Sequence, residues 1–250
     1  MTVEGAVPGG HRAPVGSPPF PGGIGASHLR VYDSLAPDGQ AGGTPHCHTA
    51  CTEAYVVVAG SGRVATLSGD GYAETPIRAG SFVWFTPGTI HRLLNDGGDL
   101  EIVVLMQNGG LPEAGDMVIT FDDAVLADPA AYAAAAALPE ATTASDPDPA
   151  RARRDRGVEG FVEIQGAGPD ALGRFHARAA ALVRPHVGAW RSTWEAGPRA
   201  AAEATGVQLD ALARGDHTHL GGSSVHALPP PPDERRWGCC GTLGTYLPAV

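Results

Sequence analysis

The chain has 250 residues, 43% of them hydrophobic, and a formal net charge of −10; this length can bury a full core and holds one large domain, or one domain with a substantial appendage. All 17 basic residues are arginine, which excludes Schiff-base chemistry and a Walker-type phosphate loop, since both need a lysine. The negative charge is concentrated in residues 1–145, where 5 Arg stand against 15 Asp and Glu, whereas 146–250 carries 12 of each; an acidic front half argues against nucleic acid or an anionic membrane as partner and for a small-molecule substrate.

Residues 1–26 are rich in Gly and Pro and predict an irregular N-terminal arm. They contain no apolar run fit for a signal peptide, and no segment of the chain reaches the length of a membrane span, so a cytoplasmic location is expected. The lysine-free, Ala-, Gly-, Pro- and Arg-rich composition fits a high-GC bacterial source. The four cysteines, at 47, 51, 239 and 240, form neither a disulfide framework nor a C-x-x-C pair, so reduced thiols are expected.

From residue 27 the pattern is all-β. Strands are predicted at about Leu29–Tyr32, Glu53–Val58, Gly62–Leu67, Ser81–Phe85, His91–Leu94 and Leu100–Gln107, separated by Gly- and Asp-rich turns. Two stretches within it carry chemistry. In "TPHCHTACTEAYVVVAG", residues 44–60, His46 and His48 alternate with Cys47, so in a strand the two imidazoles share one face and the thiol takes the other. Glu53 opens the next apolar strand with Tyr55 and Val57 on its own face, which predicts three ligands from one hairpin. In "GSFVWFTPGTIHRLLND", residues 80–96, an apolar strand and a Pro-Gly turn lead to His91 in a further strand. The pair of histidines, the carboxylate and this third histidine are the candidate metal ligands.

The two stretches together resemble the cupins. The first family motif, G-x5-H-x-H-x3,4-E-x6-G, is met by His46, His48, Glu53 and Gly60, with its opening Gly displaced by one to Gly39 beside Gln40. The second, G-x5-P-x-G-x2-H-x3-N, is met by Gly80, Gly88, His91 and Asn95, with Thr86 in place of the Pro and Pro87 following. The resemblance covers about residues 27–125. It implies a mainly β chain: a single jelly-roll type antiparallel β-barrel with one divalent transition metal inside, here with an α-helical C-terminal extension. Three imidazoles and a carboxylate suit Fe, Mn, Ni, Cu or Zn by softness. The family offers dioxygenases, isomerases, polyketide cyclases and non-catalytic binding proteins. An oxygen-dependent oxidoreductase of dioxygenase type, acting on a small phenolic or enolisable molecule, is the expected activity. The alternatives are a redox-neutral cyclase or isomerase of polyketide-like substrates and a binding protein without turnover. Tyr55 is the candidate catalytic residue, orienting substrate or relaying a proton, and Val57, Leu93 and Trp84 are expected to make the cavity apolar. Small cupin barrels commonly pair through sheet edges, so a homodimer is expected.

Beyond the barrel, 126–145 predicts a helix and a linker, with Asp128 as cap and Pro129 in the first helical turn of an Ala-rich run to Leu138. The polar, Pro-punctuated stretch "TTASDPDPARARRDRG" continues the linker pattern, and 146–250 is expected to be a helical extension packed on the barrel. Within it Leu172, Phe175, Ala179 and Leu182 recur at helical spacing, and a second helix is predicted over Pro198–Ala213. A second His-x-His, His217 and His219, has Ser224 where a carboxylate would be needed, which argues against a second cupin motif; with His226 these histidines predict surface positions. Cys239 and Cys240 are expected to be buried small side chains rather than a redox pair.

Overall fold

The computed structural model describes residues 20–138, 148–168, 170–228, 230–231 and 235–246. Most of the predicted arm, residues 1–19, lies outside them, as do 139–147 of the predicted linker. The arm's last residues form a short 3-10 turn, Pro21–Gly23, and enter the first strand.

Eleven strands follow among the described residues: β1 (Gly25–Val31), β2 (His46–His48), β3 (Glu53–Ala59), β4 (Ser61–Ser68), β5 (Gly71–Arg78), β6 (Phe82–Phe85), β7 (Ile90–Leu94), β8 (Glu101–Met106), β9 (Met117–Ile119), β10 (Arg236–Trp237) and β11 (Gly241–Tyr246). They make two sheets, one of six strands in the order β10-β11-β1-β8-β3-β6 and one of five in the order β5-β4-β7-β2-β9. Every pairing is antiparallel. The sheets face each other without joining at their edges, so the expected closed barrel is instead an open two-sheet sandwich. Period-2 alternation sets the core: Tyr55 and Val57 on β3, and Ile102 and Val104 on β8, turn inward, while their neighbours turn out. The strand β7 is buried on both faces; its outward Arg92 is held by the loop ahead of β2, donating to the Gly43 carbonyl and pairing with Asp38.

The helices are α1 (Asp123–Ala127), α2 (Pro129–Ala136), α3 (Asp148–Gly166), α4 (Asp170–Val183), α5 (Val187–Trp194) and α6 (Ala200–Ala213). Among the described residues helix exceeds strand, 42% to 29%, which corrects the mainly β class to two antiparallel sheets with a large helical complement. Asp128 caps α2 by accepting from the amides of Ala130 and Ala131, and α4 buries Ala171, Phe175, Ala179 and Leu182 at helical spacing.

The second correction is α3, whose first ten residues, 148–157, occupy sequence that reads as linker. Its buried positions, Ala150, Arg154, Gly157, Val158 and Phe161, recur at helical intervals, but small residues and an arginine replace the usual aliphatic stripe. Arg154 is 1% exposed; its guanidinium donates to the carbonyls of Ser34 and Leu35, both at 2.8 Å, and lies over the Tyr32 ring. The helix backbone runs so close to the strand ends that a Cβ at Gly160 would come within 2.1 Å of the Thr120 carbonyl oxygen. The chain then returns to the sandwich as β11, which pairs with β1 along its whole length and puts the C-terminal region into the six-stranded sheet. No helix among the described residues is long and apolar enough to cross a membrane.

Candidate metal centre

His46, His48, Glu53 and His91 are all buried, and one ligand atom from each lies within 4.8 Å of the others. On β2 the two-residue spacing puts His46 and His48 on the inner face, and His91 of β7 is the direct cross-strand partner of His46. Three imidazoles therefore come from one sheet. Glu53 comes from the other, at the start of β3, so β2 and β3 are not a hairpin and the centre ties the two sheets together across the sandwich.

The turn that delivers His91 needs Gly88, whose φ of 88° is strained for any side chain. Its amide donates to the His48 carbonyl at 2.9 Å, fastening the two ligand segments to each other. Asn95 at the end of β7 bonds the carbonyls of Val31 and Tyr32 and accepts from the Leu100 amide, so its role is to pin loops and not to touch the centre.

The hydrogen bonds fix the tautomers. Nδ1 of His46 donates to the Thr44 carbonyl at 2.8 Å, and Nδ1 of His91 donates to the Thr89 carbonyl at 3.0 Å, since a carbonyl can only accept. Nδ1 of His48 donates to the Asp116 carboxylate at 3.2 Å. In the neutral form of each imidazole Nε2 is thereby left as a lone pair, and all three converge on Glu53 Oε2, at 4.0 Å from His46, 3.4 Å from His48 and 2.8 Å from His91. Glu53 Oε2 and His91 Nε2 are buried without a hydrogen-bond partner. Four electron-pair donors facing one point repel one another unless a cation lies among them, and their separations suit ligand bonds of about 2.0–2.2 Å to a common ion. The donor set therefore fits a metal.

The electrostatics of these side chains also call for positive charge. Burial, aided by His91, drives the His46 pKa down to about 3, so this imidazole is neutral. Burial opposes protonation of His48 too, but hydrogen bonds to Asp116 and Glu53 push it up to about 9, so without an ion its Nε2 holds a proton on Glu53, which a bound metal displaces. Against its own burial, Glu53 is held well below the usual carboxylate range by His91 and His48.

Asp116 carries no sequence signal, yet it organises the site. It is wholly buried in the turn before β9 and accepts from the amides of Thr49, Ala50 and Cys51 as well as from His48. Tyr55, two residues after Glu53, is fully buried, and its hydroxyl has no hydrogen-bond partner. Its ring packs edge-on against Phe85 at 5.0 Å, and Phe85 in turn stacks on His91 at 4.5 Å. Val57 and Leu93 are buried as expected, but Trp84 is 63% exposed on the outer face and is no part of the cavity wall. Cys47 turns away from the histidines. Cys239 and Cys240 are free thiols; the Cys239 carbonyl accepts from both the amide and hydroxyl of Thr44, placing this turn next to the His46 strand. His217 and His226 are exposed and His219 is half-buried, all remote from this cluster in the chain, and no second cluster of potential ligands occurs among the described residues.

Residues 33–106 match the family model of the cupin domain. No curated protein matches the chain. Among solved structures it is similar to a Klebsiella pneumoniae protein with a double-stranded β-helix domain, at 19% identity over 35% of this chain and 67% of that one, with a TM-score of 0.27. It is also similar to a predicted oxalate decarboxylase from Thermotoga maritima, at 20% identity over 34% and 64% of the two chains, TM-score 0.26. A sugar 3,4-ketoisomerase from Thermoanaerobacterium thermosaccharolyticum aligns at 12% identity over 37% and 64%, TM-score 0.31. A structure from Acidithiobacillus ferrooxidans is 30% identical over 26% of this chain and 40% of that one, TM-score 0.23. The chain thus spans between 40% and 67% of the length of these four structures. Residues 33–106, which contain both motifs and all four residues of the metal centre, are a cupin domain.

Proposed function

We propose that the protein is a metal-dependent enzyme, an oxygen-dependent oxidoreductase of dioxygenase type acting on a small phenolic or enolisable molecule. The observation that supports it is the buried set of three bare imidazole nitrogens and one carboxylate oxygen, a donor set that leaves coordination positions for other ligands. A divalent transition metal held by His46, His48, Glu53 and His91 would supply Lewis acidity and, if redox-active, electron exchange with dioxygen. The protein's own part is to keep the site dry and to place one proton. Val57, Leu93 and Phe85 wall the site with apolar surface, so a substrate oxygen entering it exchanges water for fixed dipoles. Burial, with the Glu53 charge second, pushes the Tyr55 phenol well above its ordinary pKa, so it stays protonated and can donate to a substrate oxygen.

The same buried hydroxyl favours a second reading, a redox-neutral cyclase or isomerase, since such chemistry needs a proton donor more than it needs an oxidant. Oxygen uptake measured over a panel of phenols and 1,3-diketones, with products identified by mass spectrometry, separates them. Uptake matched to substrate loss supports the dioxygenase. Full turnover without oxygen sinks it in favour of the isomerase, and binding without turnover of any compound would leave a carrier or sensor.

A further inference from the structure

A cavity of about 870 Å3 lies between the sandwich and the helices α4 and α5. Its floor includes Cys47, Thr49, Pro87 and Leu111, and its wall includes Val183, Val187, Trp190 and Trp194. None of the four metal-centre residues lines it: Cys47, whose side chain points opposite to His46 and His48, stands between the two sites. The volume is that of a pocket for a drug-sized organic molecule. Trp190 is 5% exposed and its indole N–H is already committed to the Ala114 carbonyl at 3.1 Å, so it offers a fixed apolar face and no spare donor.

Its positive charge comes from two arginines, beside the polar Thr49, Asn108 and His176. Arg184 and Arg191, seven residues apart, both line the cavity. Among the described residues neither has an ion-pair partner, whereas Arg63, Arg92, Arg178 and Arg199 are each paired to a carboxylate. In a chain of net charge −10, two guanidiniums not paired to a carboxylate beside an apolar hollow are a match for an anion with an apolar body. We propose that this cavity is a ligand site separate from the metal centre, binding an amphipathic organic acid with its carboxylate on Arg184 and Arg191 and its apolar portion against Trp190, Trp194 and Leu111.

The test uses the full chain and three probes with the same ten-carbon tail: decanoate, decanol and decyltrimethylammonium. Binding is followed by calorimetry and by the fluorescence of the two cavity tryptophans. Decanoate is expected to bind saturably at one per chain, at least about tenfold more tightly than the alcohol, with the cation weakest. The double variant Arg184→Ala, Arg191→Ala removes that preference and leaves decanol binding unchanged. Ala180→Trp, an exposed position that also lines the cavity, fills it and abolishes binding of both while melting temperature and metal content stay at wild-type values. Equal affinity for all three head groups, or decanoate binding untouched by either variant, overturns the proposal. Decanoate binding that survives the double arginine variant but disappears in His91→Ala would assign the anion to the metal centre and overturn it equally.

Discussion

Asp116 grips His48 and the loop that follows it with one carboxylate: Oδ2 accepts from His48 Nδ1 at 3.2 Å, and Oδ1 accepts from the amides of Thr49 at 2.9 Å and Ala50 at 2.7 Å. Burial works to raise its pKa, but His48, Thr49 and Cys51 hold it down to about 2, so it is an anion at any working pH. Replacing it with Ala frees the His48 tautomer and orphans buried amides. Asp116→Ala is predicted to weaken metal binding by about 10–100-fold and to cost about 2–4 kcal/mol of stability. Chelator competition and urea denaturation read the two effects, and wild-type values in both would remove Asp116 from the site.

The α3 seam makes a sharper claim about packing. With the Thr120 carbonyl 2.1 Å from where a Cβ would stand, Gly160→Ala forces helix and sheet apart. A loss of about 3 kcal/mol is predicted, whereas the same change at Gly166, which has open space, is predicted to be neutral or slightly stabilising. Equal melting temperatures for the two variants would contradict the close approach.

These two features mark where the sequence stops being legible. The ligand quartet is written in short-range spacing, alternation along strands plus one Gly-bearing turn, and needs no tertiary knowledge to find. The placement of Glu53 on the opposite sheet is a long-range fact, and β3, next in sequence to β2, reads locally as its hairpin partner. Asp116 acts through contacts 65 to 68 residues away, with no local pattern to announce it. The α3 stripe is built of Ala, Gly and Arg, which read as linker because burial there comes from close backbone approach and a capped guanidinium instead of large aliphatic side chains. Likewise β11, "GTLGTY", has too few branched residues to signal a strand until β1 lies beside it.

Acid stability should depend on Asp38, which is ion-paired to the buried guanidinium of Arg92. Partial burial opposes ionisation, but the Arg92 hydrogen bonds and charge lower the Asp38 pKa. A lowered carboxylate stabilises the fold fully above its unfolded pKa of about 3.9 and loses that contribution as pH falls through its folded value. Asp38→Asn is predicted to cost about 1–3 kcal/mol at pH 7, a gap that narrows below about pH 4. A gap that stays constant between pH 7 and pH 3 would contradict the assignment.

Assembly is expected to use the edge strand β6. Phe82 and Trp84 are 56% and 63% exposed there, their rings 5.9 Å apart, with Val58 on the neighbouring strand also exposed. An unpaired antiparallel edge flanked by aromatic surface favours a second copy. A homodimer is predicted by sedimentation, dissociated at least about tenfold by Phe82→Glu with Trp84→Glu; a wild-type monomer across the concentration range would refute it.

The central claim is that one transition metal is held by three bare imidazole nitrogens and Glu53. Elemental analysis of protein purified without added metal, then reloaded, tests it most directly. The account predicts close to one divalent transition metal per chain in the wild type, partial retention in Glu53→Gln, and none in His46→Ala, His48→Ala or His91→Ala; full metal content in His91→Ala, or none in a folded wild type after loading, would contradict it.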